Sequence, residues 1–335
     1  MNKLQKLKNQ LSSSYKKEII FNLSPASGYR SRCEFGYKNG SYTMVKDGKK
    51  VLIDHFDLPV SAIQNIMKPL LEAINTNPLI NKKLFQINFR AVNQIVLVTL
   101  IYHKQLDQNW LESARIIETK LDINVLGRSK KQLLATHLTE LEQYIDINPS
   151  YYLYQNDKTF YQPNAFLMPK MVKLVISLIE NPRDLLELYC GSGTFTIPLS
   201  YSFKNVFATE NNRESISYLK KSIHKNHIKN IFYARLSDIE LMDAYKGRIF
   251  RRLENIDLKN FNFSHVLVDP PRSGLSHNVT EILNKFKNII YISCNPDTFK
   301  RDLDKLKDYR IKKLEVFDQF SNTPHLELIA LLIKR

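Results

Sequence analysis

Cys294 stands where a nucleophilic side chain could act on a bound ligand. It directly follows a strand-like run, NIIYIS, and precedes Asn295-Pro296. In an open parallel sheet, ligands bind beyond the carboxyl ends of the strands, and a proline there fixes the backbone direction. A buried cysteine is usually inert packing, but this position predicts a catalytic thiol. Cys190, in a tight turn, and Cys33, on an early strand, are predicted to be packing residues.

Other polar groups are concentrated at the ends of neighbouring predicted strands. Asp269-Pro270-Pro271-Arg272 follows one strand, and His325-Leu326-Glu327 opens the last one. Gln162-Pro163-Asn164 lies just before the same sheet begins. Prolines beside polar groups are typical of a rigid, preorganised site. These segments are therefore candidates to share one site with Cys294.

A glycine turn in the segment DLLELYCGSGTF predicts a cofactor site. Gly191-Ser192-Gly193 joins a buried strand to a helix, where the backbone must turn sharply and approach a ligand. Glu210 closes the next strand, about 20 residues further on, where a carboxylate suits the two hydroxyls of a ribose. Because the third glycine of the dinucleotide fingerprint is missing, NAD is disfavoured. S-adenosylmethionine, which has a ribose but no pyrophosphate, fits better.

Composition narrows the function classes further. Lys and Arg outnumber Asp and Glu by 49 to 33, and the net charge of +16 favours a polyanion such as RNA or DNA. The three cysteines form no C-x-x-C pair, which argues against a disulfide framework or a zinc or iron–sulfur site. No apolar run approaches the roughly 20 residues that cross a bilayer. A cytoplasmic protein is expected.

The hydrophobic pattern divides the chain at about residue 150. Residues 1–150 predict a mixed α+β domain with helices at about 3–20, 60–75 and 107–120, and hairpin turns at Asn39-Gly40 and Asp47-Gly48. An aromatic-rich hairpin is predicted over 151–161. Residues 151–335 then alternate strand and helix, which predicts a doubly wound parallel α/β sheet. Its last two strands, 309–317 and 325–333, are close enough to form an antiparallel hairpin at one end.

The sequence resembles the bacterial tRNA (uracil-5-)-methyltransferases from about residue 24 to the end. The resemblance is carried by SPASGYRSRCEF, KLFQINF, LIYHKQLD, FYQPNAF, LLELYCGSGTF, ATE, VDPPRSGL, YISCNP, FDQF and PHLE. It implies a class I S-adenosylmethionine-dependent methyltransferase fold, Rossmann-like, preceded by an RNA-binding domain. The implied reaction is methylation of carbon 5 of the T-loop uridine in tRNA, with tmRNA as a candidate second substrate.

The resemblance also implies roles for individual residues. Cys294 matches the family nucleophile, which adds to carbon 6 of uracil, and Glu327 matches the base that removes the proton from carbon 5. Phe85 falls where an aromatic side chain meets the T-loop. The positions that match family contacts to S-adenosylmethionine are Gln162, Tyr189, Thr194, Glu210 and Asp269. Thr194 stands where the family has asparagine. Neither a metal, nor an iron–sulfur cluster, nor an obligate protein partner is expected.

Several other functions remain as alternatives. A ribosomal-RNA uridine methyltransferase shares the chemistry, but those enzymes generally carry an extra β-barrel and a four-cysteine iron–sulfur site. An RNA cytosine-5 methyltransferase would place a second cysteine after the proline of the fourth strand, where this chain has DPPR. An adenine methyltransferase would have an aromatic residue in place of Arg272. A catalytically inactive RNA-binding factor would not need Cys294, and a nicotinamide oxidoreductase would need the missing glycine.

Overall fold

Two sheets of different construction form the body of the protein. The computed structural model describes residues 3–46, 48–321 and 323–335. One sheet has seven strands and is mainly antiparallel; the other has eight strands and is mainly parallel. A two-stranded hairpin lies between them in the sequence. Among the described residues, no helix is both long and apolar enough to span a bilayer.

The helices and strands have the following bounds. The α-helices of the described residues are α1 (Lys3–Leu11), α2 (Ser61–Asn75), α3 (Pro78–Asn81), α4 (Gln108–Leu121), α5 (Met168–Ser177), α6 (Thr196–Leu199), α7 (Arg213–Lys225), α8 (Asp238–Tyr245), α9 (His277–Leu283) and α10 (Pro296–Lys305). The strands are β1 (Ile20–Leu23), β2 (Arg32–Lys38), β3 (Ser41–Lys46), β4 (Lys49–Ile53), β5 (Leu84–Val92), β6 (Ile95–Tyr102), β7 (Asn124–Ser129), β8 (Gln132–Ala135), β9 (Leu141–Ile145), β10 (Tyr151–Gln155), β11 (Asp184–Leu188), β12 (Asn205–Thr209), β13 (Ile231–Ala234), β14 (Phe263–Val268), β15 (Asn288–Ser293), β16 (Tyr309–Asp318) and β17 (Glu327–Lys334). Two 3₁₀ turns, Arg251–Leu253 and Leu258–Asn260, follow α8.

The seven-stranded sheet has the order β4-β3-β2-β5-β6-β7-β8. One face is apolar because alternate residues such as Phe35 and Phe89 are buried, and it packs on α2 and α4. Asn39 and Gly40 have φ angles of 51° and 77° and join β2 to β3, as predicted. The Asp47-Gly48 turn involves a residue, Asp47, that lies outside the described ranges.

The eight-stranded sheet confirms the predicted doubly wound architecture. Its order is β1-β16-β17-β15-β14-β11-β12-β13, and β11, β12, β13, β14 and β15 are parallel to their neighbours within this group. The predicted antiparallel pairing of β16 with β17 is also confirmed. The edge position beyond that hairpin is occupied by β1, which pairs in parallel with Glu315–Asp318.

The beginning of the chain differs from the prediction in position and extent. The first helix ends at Leu11 rather than near residue 20, and β1 follows it into the eight-stranded sheet. Leu7 and Leu11 are buried in the core of the eight-stranded sheet, on which α1 packs. Residues 3–23 therefore belong structurally with the second half, although the predicted boundary assigned them to the first.

The predicted hairpin within residues 151–161 is not formed, because the strand at its beginning pairs with an earlier strand. β10 pairs antiparallel with β9, so that the hairpin spans 141–155. The remaining segment approaches the first sheet instead. Arg90 of β5 is buried, stacks on the ring of Tyr161 at 4.6 Å and donates hydrogen bonds to the carbonyls of Asp157 and Thr159. These contacts join the seven-stranded sheet to the segment that leads into the second sheet.

Candidate active site

Four predicted site residues each stand directly after a parallel strand. Tyr189 follows β11, Glu210 follows β12, Asp269 follows β14 and Cys294 follows β15. These strands are consecutive neighbours in the sheet, in the order β12-β11-β14-β15. Because parallel strands end at the same edge, the four side chains are brought to one side of the molecule. Glu327 joins them as the first residue of β17, which runs in the opposite direction.

Cys294 and Glu327 lie opposite each other on neighbouring strands. Ser293 of β15 pairs with Leu328 of β17, so the next facing position brings Cys294 to Glu327. Glu327 is buried, whereas Cys294 is half-buried and open to a cavity. Burial, and then the charges of Glu327 and Asp269, raise the pKa of the Cys294 thiol to about 11. The resting thiol is therefore protonated at neutral pH.

Burial also disfavours ionisation of the two carboxyl groups beside Cys294. Burial raises the pKa of Glu327 well above its usual value, the charge of Asp269 raises it further, and Arg272 opposes both. Burial likewise raises the pKa of Asp269 to about 7. Buried carboxyls with little positive charge around them are costly to ionise. A cationic ligand placed among them would be stabilised.

A third buried carboxyl extends this group towards the glycine turn. Glu187, on β11, is 1% exposed. Burial raises its pKa to about 8, the neighbouring Thr196 hydroxyl opposes this shift, and the charge of Asp269 adds a smaller increase. The Oε2 atom of Glu187 is buried without a hydrogen-bond partner among the described residues. Such an orphaned polar atom is unusual in a folded protein and requires an explanation. A bound ligand with a cationic or hydrogen-bond-donating group would supply one.

A cavity of about 360 Å³ opens in front of Cys294. Its lining combines one face of α1 with the segments that follow β14 and β15 and the segment that precedes β17. The lining residues are Lys3, Lys6, Leu7, Gln10, Arg272, Cys294, Asn295, Pro296, Asp297, Pro324, His325 and Leu326. Burial, and then the charges of Arg272 and Lys3, lower the pKa of His325, so the imidazole is neutral at pH 7. Arg272 and His325 belong to the segments that the sequence predicts to share this site, whereas Lys3 and Gln10 were not predicted.

The glycine turn and Glu210 form a compact unit. The Gly191 amide donates to Glu210 Oε2 at 3.1 Å, and the Asn212 amide donates to Oε1 at 2.7 Å. Gly191 has a φ of 56°, and a side chain there would point into open space. Tyr189 also has a positive φ, of 61°. Strained non-glycine residues of this kind are concentrated at functional sites.

A smaller cavity of about 90 Å³ adjoins this turn. It is lined by Leu188, Tyr189, Thr209, Glu210, Asn211, Leu236, Ser237 and Asp238. Burial, and then the charges of Asp238 and Glu210, raise the pKa of Tyr189. Ser237 and Asp238 were missed by the sequence prediction; they lie three and four residues beyond the end of β13, whereas Glu210 directly follows β12. Ser237 also caps α8, with Glu240 completing a capping box.

The other predicted ligand residues occupy different positions. Gln162 is buried, and its Oε1 accepts a hydrogen bond of 2.9 Å from Gln319 Nε2. This arrangement fixes the orientation of the Gln162 amide. Thr194 lies half-buried within the glycine turn. Phe85 is remote in the fold, on β5 of the seven-stranded sheet, where its ring stacks on His103 with centroids 3.9 Å apart and planes 11° apart.

The described residues contain no group of three or more His, Cys, Asp or Glu side chains placed to hold a metal ion. Cys33 and Cys190 are both buried. Burial raises the pKa of each thiol, that of Cys33 to about 12. Cys294 is half-buried and lines the cavity between α1 and the segments that follow β14 and β15.

Comparisons with known proteins agree on one family. The family model described as tRNA (Uracil-5-)-methyltransferase matches residues 1–335. A tRNA/tmRNA (uracil-C(5))-methyltransferase of Campylobacter concisus is 43% identical over 322 residues, covering 93% of this chain and 88% of that protein. The protein of the same description from Campylobacter lari is 42% identical, covering 94% and 93%.

A solved structure supports the fold. The Pyrococcus abyssi tRNA (uracil-54, C5)-methyltransferase, in complex with S-adenosyl-L-homocysteine, superposes with a TM-score of 0.77 at 24% identity. The match covers 99% of this chain and 83% of that one. It shows that both halves of the chain, and their arrangement, occur together in a known methyltransferase fold.

Proposed function

The chain belongs to the tRNA (uracil-5-)-methyltransferase family, and we propose that it methylates carbon 5 of the T-loop uridine of tRNA with S-adenosylmethionine. The observation that carries this proposal is the register of β15 and β17, which sets Cys294 opposite Glu327 at the edge where Asp269 also ends its strand. This chemistry requires a nucleophile and a separate base at one site. The product is 5-methyluridine.

The residues of the glycine turn fit S-adenosylmethionine. Glu210 would accept hydrogen bonds from the ribose hydroxyls, and Tyr189 and Asp238 would flank the adenosine. The buried carboxyls Glu187 and Asp269 would favour the cationic end of the ligand, and Gln162 would donate from its fixed amide. When bound, S-adenosylmethionine supplies an electrophilic methyl group.

The roles of the two catalytic residues follow from the reactivity of uracil. Carbon 5 is a weak nucleophile, so Cys294 adds its sulfur to carbon 6 and makes carbon 5 electron-rich. After carbon 5 has gained the methyl group, it still carries its original proton. Glu327 removes that proton, the electron pair re-forms the double bond between carbons 5 and 6, and the bond between sulfur and carbon 6 breaks. Cys294 is thereby restored.

Glu327 and Cys294 must both be deprotonated when they act, although burial favours their protonated forms. The positive charge of the methyl donor would lower the pKa of the Cys294 thiol, which acts while the donor still carries that charge, since an opposite charge nearby favours the ionised form. Loss of the methyl group removes that charge. The site is therefore most reactive when the donor is present.

RNA recognition is assigned to the seven-stranded sheet together with the cavity at Cys294. Phe85, stacked on His103, offers a flat ring on which a T-loop base can stack. The net charge of +16 supports a polyanionic partner. We extend the proposal to tmRNA, because it shares the tRNA-like arm.

The test is mass analysis of RNA after incubation with the protein and labelled S-adenosylmethionine. Transcribed tRNA, tmRNA and a ribosomal-RNA fragment should be compared under identical conditions. We expect a single methyl group on the T-loop uridine of tRNA. Preferential labelling of the ribosomal fragment would reject the tRNA assignment and favour the ribosomal-RNA alternative.

A further inference from the structure

The first helix closes the cavity in front of Cys294. Lys3, Lys6, Leu7 and Gln10 line that cavity, and their spacing of three and four residues places them on one face of α1. Leu7 and Leu11 fix the helix from the same side, being 1% and 0% exposed in the core of the eight-stranded sheet. Because α1 is anchored in the core in this way, it forms a fixed side of the cavity.

Lys3 binds the loop between β16 and β17, which leads to Glu327. Its ammonium group donates to Asp318 Oδ1 at 2.7 Å and to the carbonyls of Phe320, Ser321 and Thr323 at 3.0, 3.1 and 2.8 Å. These acceptors lie between the end of β16 and the start of β17, where Glu327 stands. Side-chain exposures of 18% for Lys3 and 9% for Asp318 show that the ion pair is shielded from water.

Gln10 binds the other catalytic loop. Its Nε2 donates to Asp297 Oδ1 at 2.9 Å and to the Pro296 carbonyl at 3.3 Å. These acceptors lie two and three residues beyond Cys294, at the start of α10. The same face of one helix therefore holds the loop of the nucleophile at Gln10 and the loop of the base at Lys3.

We propose that α1 is a clamp that sets the separation between the Cys294 loop and the Glu327 loop, with Lys3 and Gln10 as positioning residues. This inference rests on the proposed function. Glu327 must reach the proton on carbon 5 of a base whose carbon 6 is bonded to Cys294, so the two loops must be held at one spacing. Misplacement of a catalytic group by about 1 Å costs on the order of 100-fold in rate.

The two contacts act on different steps. Loss of Lys3 releases the base loop, so proton removal slows and the covalent protein–RNA adduct persists. Loss of Gln10 releases the nucleophile loop, so adduct formation slows. A general loss of folding would instead reduce the amount of adduct formed and would leave its rate of decay unchanged.

The experiment measures adduct formation and adduct decay separately, in single turnovers with tRNA and S-adenosylmethionine, by denaturing electrophoresis. We expect Lys3→Met to slow adduct decay by about tenfold or more, with a much smaller effect on its formation. Gln10→Leu should slow formation and leave decay close to that of the wild type. Lys16→Met, which removes the same charge from an exposed position after α1, is the matched control.

Two additional variants keep the test decisive. Lys3→Arg, which retains a charged donor, should restore much of the decay rate. Lys3→Met combined with Asp318→Asn avoids a buried unpaired carboxylate and should still decay slowly, even if Lys3→Met alone folds poorly. Decay rates in folded Lys3 variants equal to that of Lys16→Met would overturn the clamp. A wild-type protein that leaves tRNA unmethylated would overturn the proposed function instead.

Discussion

Glu327 faces Cys294 across the antiparallel pair of β15 and β17, and its charge raises the pKa of the thiol. Glu327, the proposed base, therefore opposes ionisation of Cys294, the proposed nucleophile, as long as the Glu327 carboxylate is charged. Burial favours the protonated form of Glu327. In that form Glu327 no longer opposes ionisation of the thiol, which then adds to carbon 6 of uracil. Cys294 and Glu327 are therefore suited to act one after the other, first in thiol addition and then in proton removal. The site disfavours the state in which both are charged.

Separate substitutions of these residues should stop the reaction at different points. Cys294→Ala should abolish methylation and the covalent complex, because carbon 5 is never activated. Glu327→Gln should still allow addition and methylation but not proton removal, so the methylated RNA should remain attached during denaturing electrophoresis. In the wild type, 5-fluorouridine at the target position should trap the same state. Normal turnover by Glu327→Gln would contradict the assigned base.

The rate of covalent addition should rise with pH. Because the pKa of Cys294 is raised to about 11, the reactive thiolate fraction grows up to that pH and is small at neutrality. The measurement is trapping of RNA containing 5-fluorouridine between pH 7 and 9. Glu327→Gln lacks one of the charges that raise the thiol pKa, so its profile should be shifted to lower pH. A profile that is flat over this range would show that the thiol is already ionised.

Removal of the Glu210 carboxylate should weaken binding of S-adenosylmethionine. Charge-assisted hydrogen bonds contribute about 1.5–3 kcal/mol, so Glu210→Ala should lose about tenfold or more in affinity by calorimetry. Glu210→Gln keeps an acceptor for the Gly191 or Asn212 amide and should lose less. The exposed Glu254→Ala serves as control. Unchanged affinity in Glu210→Ala would mean that the glycine turn serves another ligand.

RNA binding should depend strongly on salt, since it releases counterions from the phosphates that the basic surface neutralises. Phe85→Ala should weaken binding by about 1–3 kcal/mol, the usual contribution of one base stacked on an aromatic ring. The slope of log affinity against log salt should stay the same, because no charge is removed. Tyr201→Ala, on an exposed ring of the other half, should have no effect. A salt-independent affinity would place the excess charge away from the RNA.

Sequence periodicity predicted the parallel strands of the second sheet, and strand-end position made Glu210, Asp269 and Cys294 candidates for its site, whereas Tyr189 was a candidate only through the family resemblance. A short apolar run in the sequence indicates a buried parallel strand. The residue that follows such a strand lies at the edge of the sheet where ligands bind. Tyr189, Glu210, Asp269 and Cys294 all obey this rule. Glu327 obeys its antiparallel counterpart, since it opens the strand that returns to the same edge.

Only the tertiary structure decided how distant segments complete that site. Lys3 and Asp318 are separated by 315 residues, and a basic residue on a short helix carries no local mark of the carbonyls it will bind. The same holds for β1, which joins the second sheet, and for Phe85, whose stacking partner His103 directly follows the neighbouring strand β6. Local pattern records which face of an element is apolar; the choice among apolar partners depends on packing of the whole chain.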